Sequence, residues 1–187
     1  GSSPGSYGSG SIEIFQEGLR IPPVKLFDAG KINEPLRATI LQNVRQPELL
    51  WGDLQSQFAS LQMGAAGIER LAAKLGVERF EKALQQILDT SEAGMRAVIG
   101  RIPDGTYEFE DKIDDDGITD DPLVIKAKVT IAEDSVEIDF EGTCPQVKRN
   151  LNCPYSSTLS AALSCVKSVL TSPDIPYNEG MARPIRI

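Results

Sequence analysis

The chain has 187 residues, of which 25% are charged and 41% hydrophobic, and a net charge of −8. That length allows one domain or two small ones with a real core, and no apolar run approaches the roughly 18 residues that a bilayer span requires. There is no histidine, which excludes any Ser-His-Asp or Cys-His mechanism contained within the chain and removes the commonest general base and metal ligand.

Residues 1–11 are almost all Gly and Ser, with Pro4 and Tyr7, the composition of a flexible linker or a cloning remnant. Gly1-Ser2-Ser3-Pro4-Gly5 has the spacing of a nucleophile elbow but no histidine to activate its serine. Ile12 to Gln16 reads as a short strand. It leads to Glu17 and Arg20, which stand just ahead of Pro22 and Pro23. The two prolines each fix φ near −65° and push Ile21 towards an extended conformation, so the segment is a stiff connector carrying one acid and one base. An exposed surface ion pair is the plain reading. A site that holds two charged groups in fixed positions is the sharper one.

A helical block follows. Asn33 is a good N-cap for a helix with the stripe Leu36, Ile40, Leu41 and Val44. Pro47 suits the first turn of a longer helix, with apolar residues from Leu50 to Leu75 at spacings of three or four and Gly76 as terminator. A third helix carries Phe80, Leu84, Ile87, Leu88, Met95 and Ile99 and stops at Gly100. These stripes are packing faces, of helices against each other or against a partner.

The period then changes to two. Thr106–Lys112, Leu123–Ile131 and the stretch Val136, Ile138, Phe140 alternate apolar with polar residues, which predicts three strands of an antiparallel sheet with one wet face. Glu133-Asp134 is short enough for a hairpin connection. A last helix is predicted from Tyr155 to Thr171, then a loop containing Pro173, Pro176 and Gly180, and a strand at Arg183–Ile187. The fold class is therefore α+β: residues 1–32 as a Gly/Ser-rich start with the diproline connector, 33–100 as a helical block, and 101–187 as an antiparallel sheet with a packed helix. The apolar ending Pro184-Ile-Arg-Ile187 leads us to expect an internal fragment of a longer protein.

Charge and cysteines narrow the partners. Between Asp104 and Glu141 there are 14 acids against three lysines, a local balance of −11. Such a region repels phosphate backbones, so no nucleic acid is expected as a partner, and no membrane either. Cys144, Cys153 and Cys165 form no C-x-x-C pair, which fits a reducing cytoplasm. Asp114-Asp115-Asp116-Gly117 invites a calcium reading. An EF-hand aligned on Gly117 would put Lys112 and Leu123 at the first and twelfth ligand positions, so the motif fails. A solvated hairpin loop is the simpler account. Asn152, just ahead of the last helix, is either a turn residue or an amide offered to substrate. Cys153 has no base near it in sequence.

Several separated motifs carry a resemblance: Glu17-Gly-Leu-Arg-Ile-Pro-Pro23, Arg101-Ile-Pro-Asp-Gly-Thr-Tyr-Glu-Phe-Glu110, Asp114–Gly117, Ile138-Asp-Phe-Glu-Gly-Thr143 and Pro173-Asp-Ile-Pro176. In this order they resemble the hydantoinase B/oxoprolinase family, which also includes subunits of acetone- and acetophenone-type carboxylases. In that family a glycine-rich Pro-Gly-Ser segment precedes the diproline motif, which favours a native origin for part of residues 1–11. The resemblance implies a fragment of the B component of an ATP-dependent cyclic-amide hydrolase, opening hydantoin or 5-oxoproline rings. A ketone carboxylase subunit is the alternative. It further implies a hydantoinase A-type partner that binds ATP, and a divalent metal held by residues upstream of this chain, with no cofactor bound by the fragment itself. The sequence has no Gly-x-x-x-x-Gly-Lys-Ser/Thr phosphate loop, in keeping with that division of labour. Glu17 and Arg20 are the candidate catalytic residues and Asn152 the candidate substrate-binding residue. Arg20 would hold a carboxylate or phosphate; Glu17 would act as acid, base or positioning group. By itself the fragment is expected to be a non-catalytic structural and interaction module.

Overall fold

The computed structural model describes residues 11–16, 18–171 and 173–187. They divide into two compact units between Gly76 and Val77.

The first unit begins with a 3₁₀ turn at Ile14–Gln16. The strand expected there does not form, because the Gln16 side chain folds back to accept from the Ile12 amide at 2.7 Å and closes the segment on itself. Residues 18–25 have no regular structure, as a diproline connector requires. Next comes a small hairpin of β1 (Phe27–Asp28) and β2 (Lys31–Ile32). Both residues of its two-residue turn have positive φ, 48° at Ala29 and 78° at Gly30, the backbone of a type I′ connection. Helix α1 (Glu34–Gln42) is capped by Asn33, whose side-chain oxygen accepts from the Leu36 amide at 3.2 Å. Helix α2 (Pro47–Leu75) starts on its proline and ends at Gly76, with φ 81°.

Aromatic rings join these elements. Phe27 stacks on Phe58 of α2 with centroids 3.7 Å apart, Trp51 lies beside it, and the Arg37 guanidinium sits 4.5 Å above the Trp51 ring. The cluster engages only the first half of α2. Further along, Leu61 is 72% exposed, and Ile68 and Leu71 are also exposed. The stripe read as a packing face is therefore unpartnered over its second half among the described residues.

In the second unit, helix α3 (Val77–Ile99) packs on a four-stranded sheet and on the single-turn helix α5 (Glu179–Ala182). The strands are β3 (Gly105–Ile113), β4 (Leu123–Ala132), β5 (Ser135–Asp139) and β6 (Ile185–Arg186), in that spatial order. The first three are antiparallel, with Glu133-Asp134 as the β4–β5 turn. The sheet as a whole is mixed, because β6 lies parallel to β5. Helix α4 (Tyr155–Leu170) and α5 form the crossover that brings the chain back in the same direction. Ile131, Val136 and Ile138 face Met95 and Ile99 of α3, Ala162 and Leu163 of α4, Met181 and Ile185 in one core. The polar face of the sheet carries cross-strand charge pairs, Glu110 with Lys126 and Lys128 with Asp139. On β3 the apolar side is open too, with Phe109 71% exposed.

An ion network fastens α5 to α3. Glu92 accepts from Arg96 at 2.8 and 2.9 Å and from Arg183 at 2.9 Å; Arg183 also reaches Asp89, and Arg96 reaches Asp134 in the β4–β5 turn. Hydrogen bonds from Arg183 and then Arg96 hold the Glu92 carboxyl below its ordinary value of 4.5. A carboxyl depressed in the folded state stabilises above its unfolded pKa, and that contribution is lost as pH falls through the folded value. Thermal melts of wild type and Glu92→Gln from neutral pH downward should therefore show a stability gap that closes once pH drops below the ordinary glutamate range. A gap that stays constant with pH would remove Glu92 from this role.

Candidate functional site

Of the two candidate catalytic residues, Glu17 lies outside the described residues. Arg20 belongs to the first unit and is exposed, its guanidinium carbon 5.3 Å from the centroid of the Phe15 ring. A cation over an exposed aromatic face is held only weakly, so the guanidinium fork remains open to a ligand.

Asn152 belongs to the second unit, where it closes a loop. Its side-chain oxygen accepts from the Val147 amide at 2.9 Å, and its nitrogen donates to the Val147 and Arg149 carbonyls at 2.7 Å each. Both amide protons are used within the loop. Two further ties fix the loop's position. The Thr143 hydroxyl bonds the backbone of Lys126 on β4 in both directions, at 3.1 Å each, and Arg149 donates to the Gly117 carbonyl at 3.1 Å. Gly117 itself has φ 71°, which places its carbonyl in a conformation that favours glycine.

Beneath this loop lies a cavity of about 420 Å³, within the range of small-molecule sites. Ile113, Leu123 and Ile125 from the β3–β4 end and Phe140 after β5 form its apolar wall. The loop contributes Thr143, Cys144, Pro145, Gln146, Val147 and Leu151 to Cys153, and α4 contributes Thr158. Among the described residues no charged side chain lines it. With Thr143 and Asn152 committed to the loop, the Gln146 carboxamide and the Thr158 hydroxyl have no side-chain hydrogen bond among the described residues. The sequence drew attention to Asn152 and passed over these two. Gln146 follows Pro145 in a stretch without periodicity and is exposed, and only the folded loop makes it part of the same lining as Thr158 and the sheet.

The acidic loop is a turn. Asp115 accepts from the Gly117 amide, and Asp116 accepts from those of Ile118 and Thr119. The Thr119 and then the Ile118 amide hold the Asp116 carboxyl below its ordinary value. Among the described residues no three His, Cys, Asp or Glu side chains form a group that could hold a metal ion. No described helix is long and apolar enough to cross a membrane.

The profile of the hydantoinase B/oxoprolinase family matches residues 1–187. The chain belongs to that family. It is 31% identical to the B-type subunit of a putative D-/L-hydantoinase from Pseudomonas sp. (strain NS671), covering all of this chain and 33% of that protein. It is 30% identical to the beta subunit of the caprolactamase of Pseudomonas jessenii, over all of this chain and 32% of the relative. The crystal structure of ATP-dependent caprolactamase from Pseudomonas jessenii superposes with a TM-score of 0.89, covering 100% of this chain and 32% of that one. A nucleotide-free structure of acetone carboxylase has a TM-score of 0.77 over 94% of this chain and 25% of its own, at 18% identity, a likeness of fold alone. The chain thus spans about a third of the length of the two named relatives.

Proposed function

We propose that this chain is part of the B component of an ATP-dependent cyclic-amide hydrolase that acts with a hydantoinase A-type partner. The observation that carries this reading is the likeness, over the whole of this chain, to about a third of the caprolactamase structure at 30% identity. ATP is bound by the partner and the divalent metal by residues outside this chain. Glu17 and Arg20 stand as candidate catalytic residues on the stiff connector. Asn152 serves substrate binding by shaping the loop over the cavity, a reading that its three hydrogen bonds within the loop support. This portion supplies part of the substrate cleft and part of the interface, and it is catalytically silent alone. A cytoplasmic location belongs to the same reading, supported by three cysteines that are all free thiols.

The test is to purify the full-length protein with its A-type partner and measure ATP-dependent ring opening of hydantoin, ε-caprolactam and 5-oxoproline. Turnover that needs both components and ATP is the expected result. Bicarbonate-dependent ATP hydrolysis with acetone, and none with cyclic amides, would replace this reading with the ketone carboxylase. Turnover by the 187-residue chain alone would overturn its assignment as a silent module.

A further inference from the structure

The sheet of the second unit ends on an open strand. β3 lies at one end of the strand order, so along its nine residues one row of backbone N–H and C=O groups has no partner strand among the described residues. Eight of those nine residues are exposed. We propose that this edge docks an extended segment of the A-type partner, a strand in which lysine or arginine alternates with apolar residues. The inference rests on the two-component reading above and adds to it a surface and the chemistry of the segment that surface receives.

Three observations carry it. The apolar face of the sheet is uncovered at β3, where Tyr107, Phe109 and Ile113 are exposed beside the exposed Ile125 of β4. A long edge with exposed aromatic rings, an unbroken register and no proline is a template for pairing with another chain. The charges on the opposite, polar face then select the guest. Glu110 is matched by Lys126 and Lys112, whereas Lys128, across from Glu108, pairs with Asp139. Glu108 has no ion pair among the described residues. A cation on an incoming strand finds its counter-ion there, and the apolar residues on either side of it fall on Tyr107 and Phe109.

A second copy of the chain is the wrong guest. A symmetric edge-to-edge pair is antiparallel, and keeping the apolar faces together sets odd residues opposite odd and even opposite even. Centred on Glu108, Glu110 or Asp111, such a pair places that carboxylate against itself. Centred on Phe109 it places Glu108 against Glu110 twice, and centred on Tyr107 it places Asp104 against Glu110. Like charges directly opposite are destabilising. A basic segment meets no such conflict, and the acidic loop from Asp114 to Asp121 beside the edge favours its approach.

The experiment uses the full-length protein, alone and with its purified A-type partner. Hydrogen–deuterium exchange should find the outward amides of Gly105–Ile113 fast in the protein alone and slowed at least about tenfold in the complex. Phe109→Ser and Glu108→Lys, both at exposed positions, should each raise the Kd of the complex about tenfold. Glu81→Lys, the same charge change at an exposed position on α3, should leave it unchanged. Slow exchange along the whole of β3 before the partner is added would overturn the proposal, because the protein's own chain would then cover the edge. Protection that appears in the protein alone as its concentration rises would hand the edge to a second copy. A complex that forms with unchanged exchange at β3, or that Glu81→Lys weakens as much as Glu108→Lys, would also sink the proposal while leaving the two-component reading intact. If the two proteins form no complex, that reading falls first and the docking edge falls with it.

Discussion

Gly180→Ala should destabilise the second unit by about 3 kcal/mol or more, the upper end of what overpacking costs. The reason is contact, not backbone conformation. A Cβ built on Gly180 would fall against the Leu88 carbonyl oxygen, 2.6 Å from the carbonyl carbon and 2.7 Å from Cα. These are backbone atoms in the middle of α3, so no side chain can rotate away to make room. Relief requires α5 to lift from α3, which strains the Asn178 bond to the buried Ser91 hydroxyl at 2.9 Å and the ion network around Arg183. Gly64→Ala in α2 is the control, because nothing lies within 4 Å of its Cβ position. There alanine should be neutral or stabilise by up to about 1 kcal/mol through helix propensity. Urea unfolding of both variants measures the contrast, and a Gly180→Ala protein as stable as wild type would mean that α5 does not dock on α3 this closely.

The elements that the sequence announced are those whose signals are local. Asn33, Pro47 and Gly76 mark helix ends through backbone chemistry, and α1 begins, and α2 begins and ends, where these residues put them, whereas α1 stops at Gln42, short of the Val44 in its predicted stripe. The strands β3 to β5 follow their alternation to within about a residue, because period two survives any tertiary context that keeps one face wet. What escaped was short or non-local. Strands of two residues show no alternation, and the β1–β2 turn is encoded mainly by one glycine after Ala29. Helix α5 has four residues, too few for a stripe, and its Asn178 cap lies in a segment whose prolines and glycine read as loop. The parallel pairing of β6 depends on where α4 and α5 leave the chain, which no window of sequence contains.

The same distinction applies to the site. Asn152 drew notice because an asparagine ahead of a helix is a familiar local pattern, and its local role is what the geometry displays most directly. The cavity it helps to cover is assembled from β3, β4, the loop and α4, elements spread over more than forty residues of sequence. Gln146 and Thr158 line the same cavity only after that assembly. An apolar stripe likewise states that a face wants cover without saying where the cover comes from. The buried end of α3 and the open end of α2 look alike as sequence, and they differ because only one meets a sheet within its own unit.

Met95→Ala should cost about 2–5 kcal/mol, the range for truncating a large buried side chain. Met95 has no exposed surface and lies one helical turn from both Ser91 and Ile99, so its side chain enters the core where α3 meets the sheet and Met181. Alanine would leave a void bounded by β-branched residues on β4 and β5, Ile131, Val136 and Ile138. Those side chains are stiff at χ1 and collapse poorly into empty space, which places the effect above the low end of the range. Met95→Leu keeps most of the volume and should cost less than about 1.5 kcal/mol. Met63→Ala on α2, where the side chain is 75% exposed, should change stability by no more than about 0.5 kcal/mol. Urea midpoints for the three variants should therefore rank Met63→Ala nearest wild type, then Met95→Leu, then Met95→Ala. If Met95→Ala unfolds with the midpoint of Met63→Ala, the helix–sheet core does not form around α3 as described.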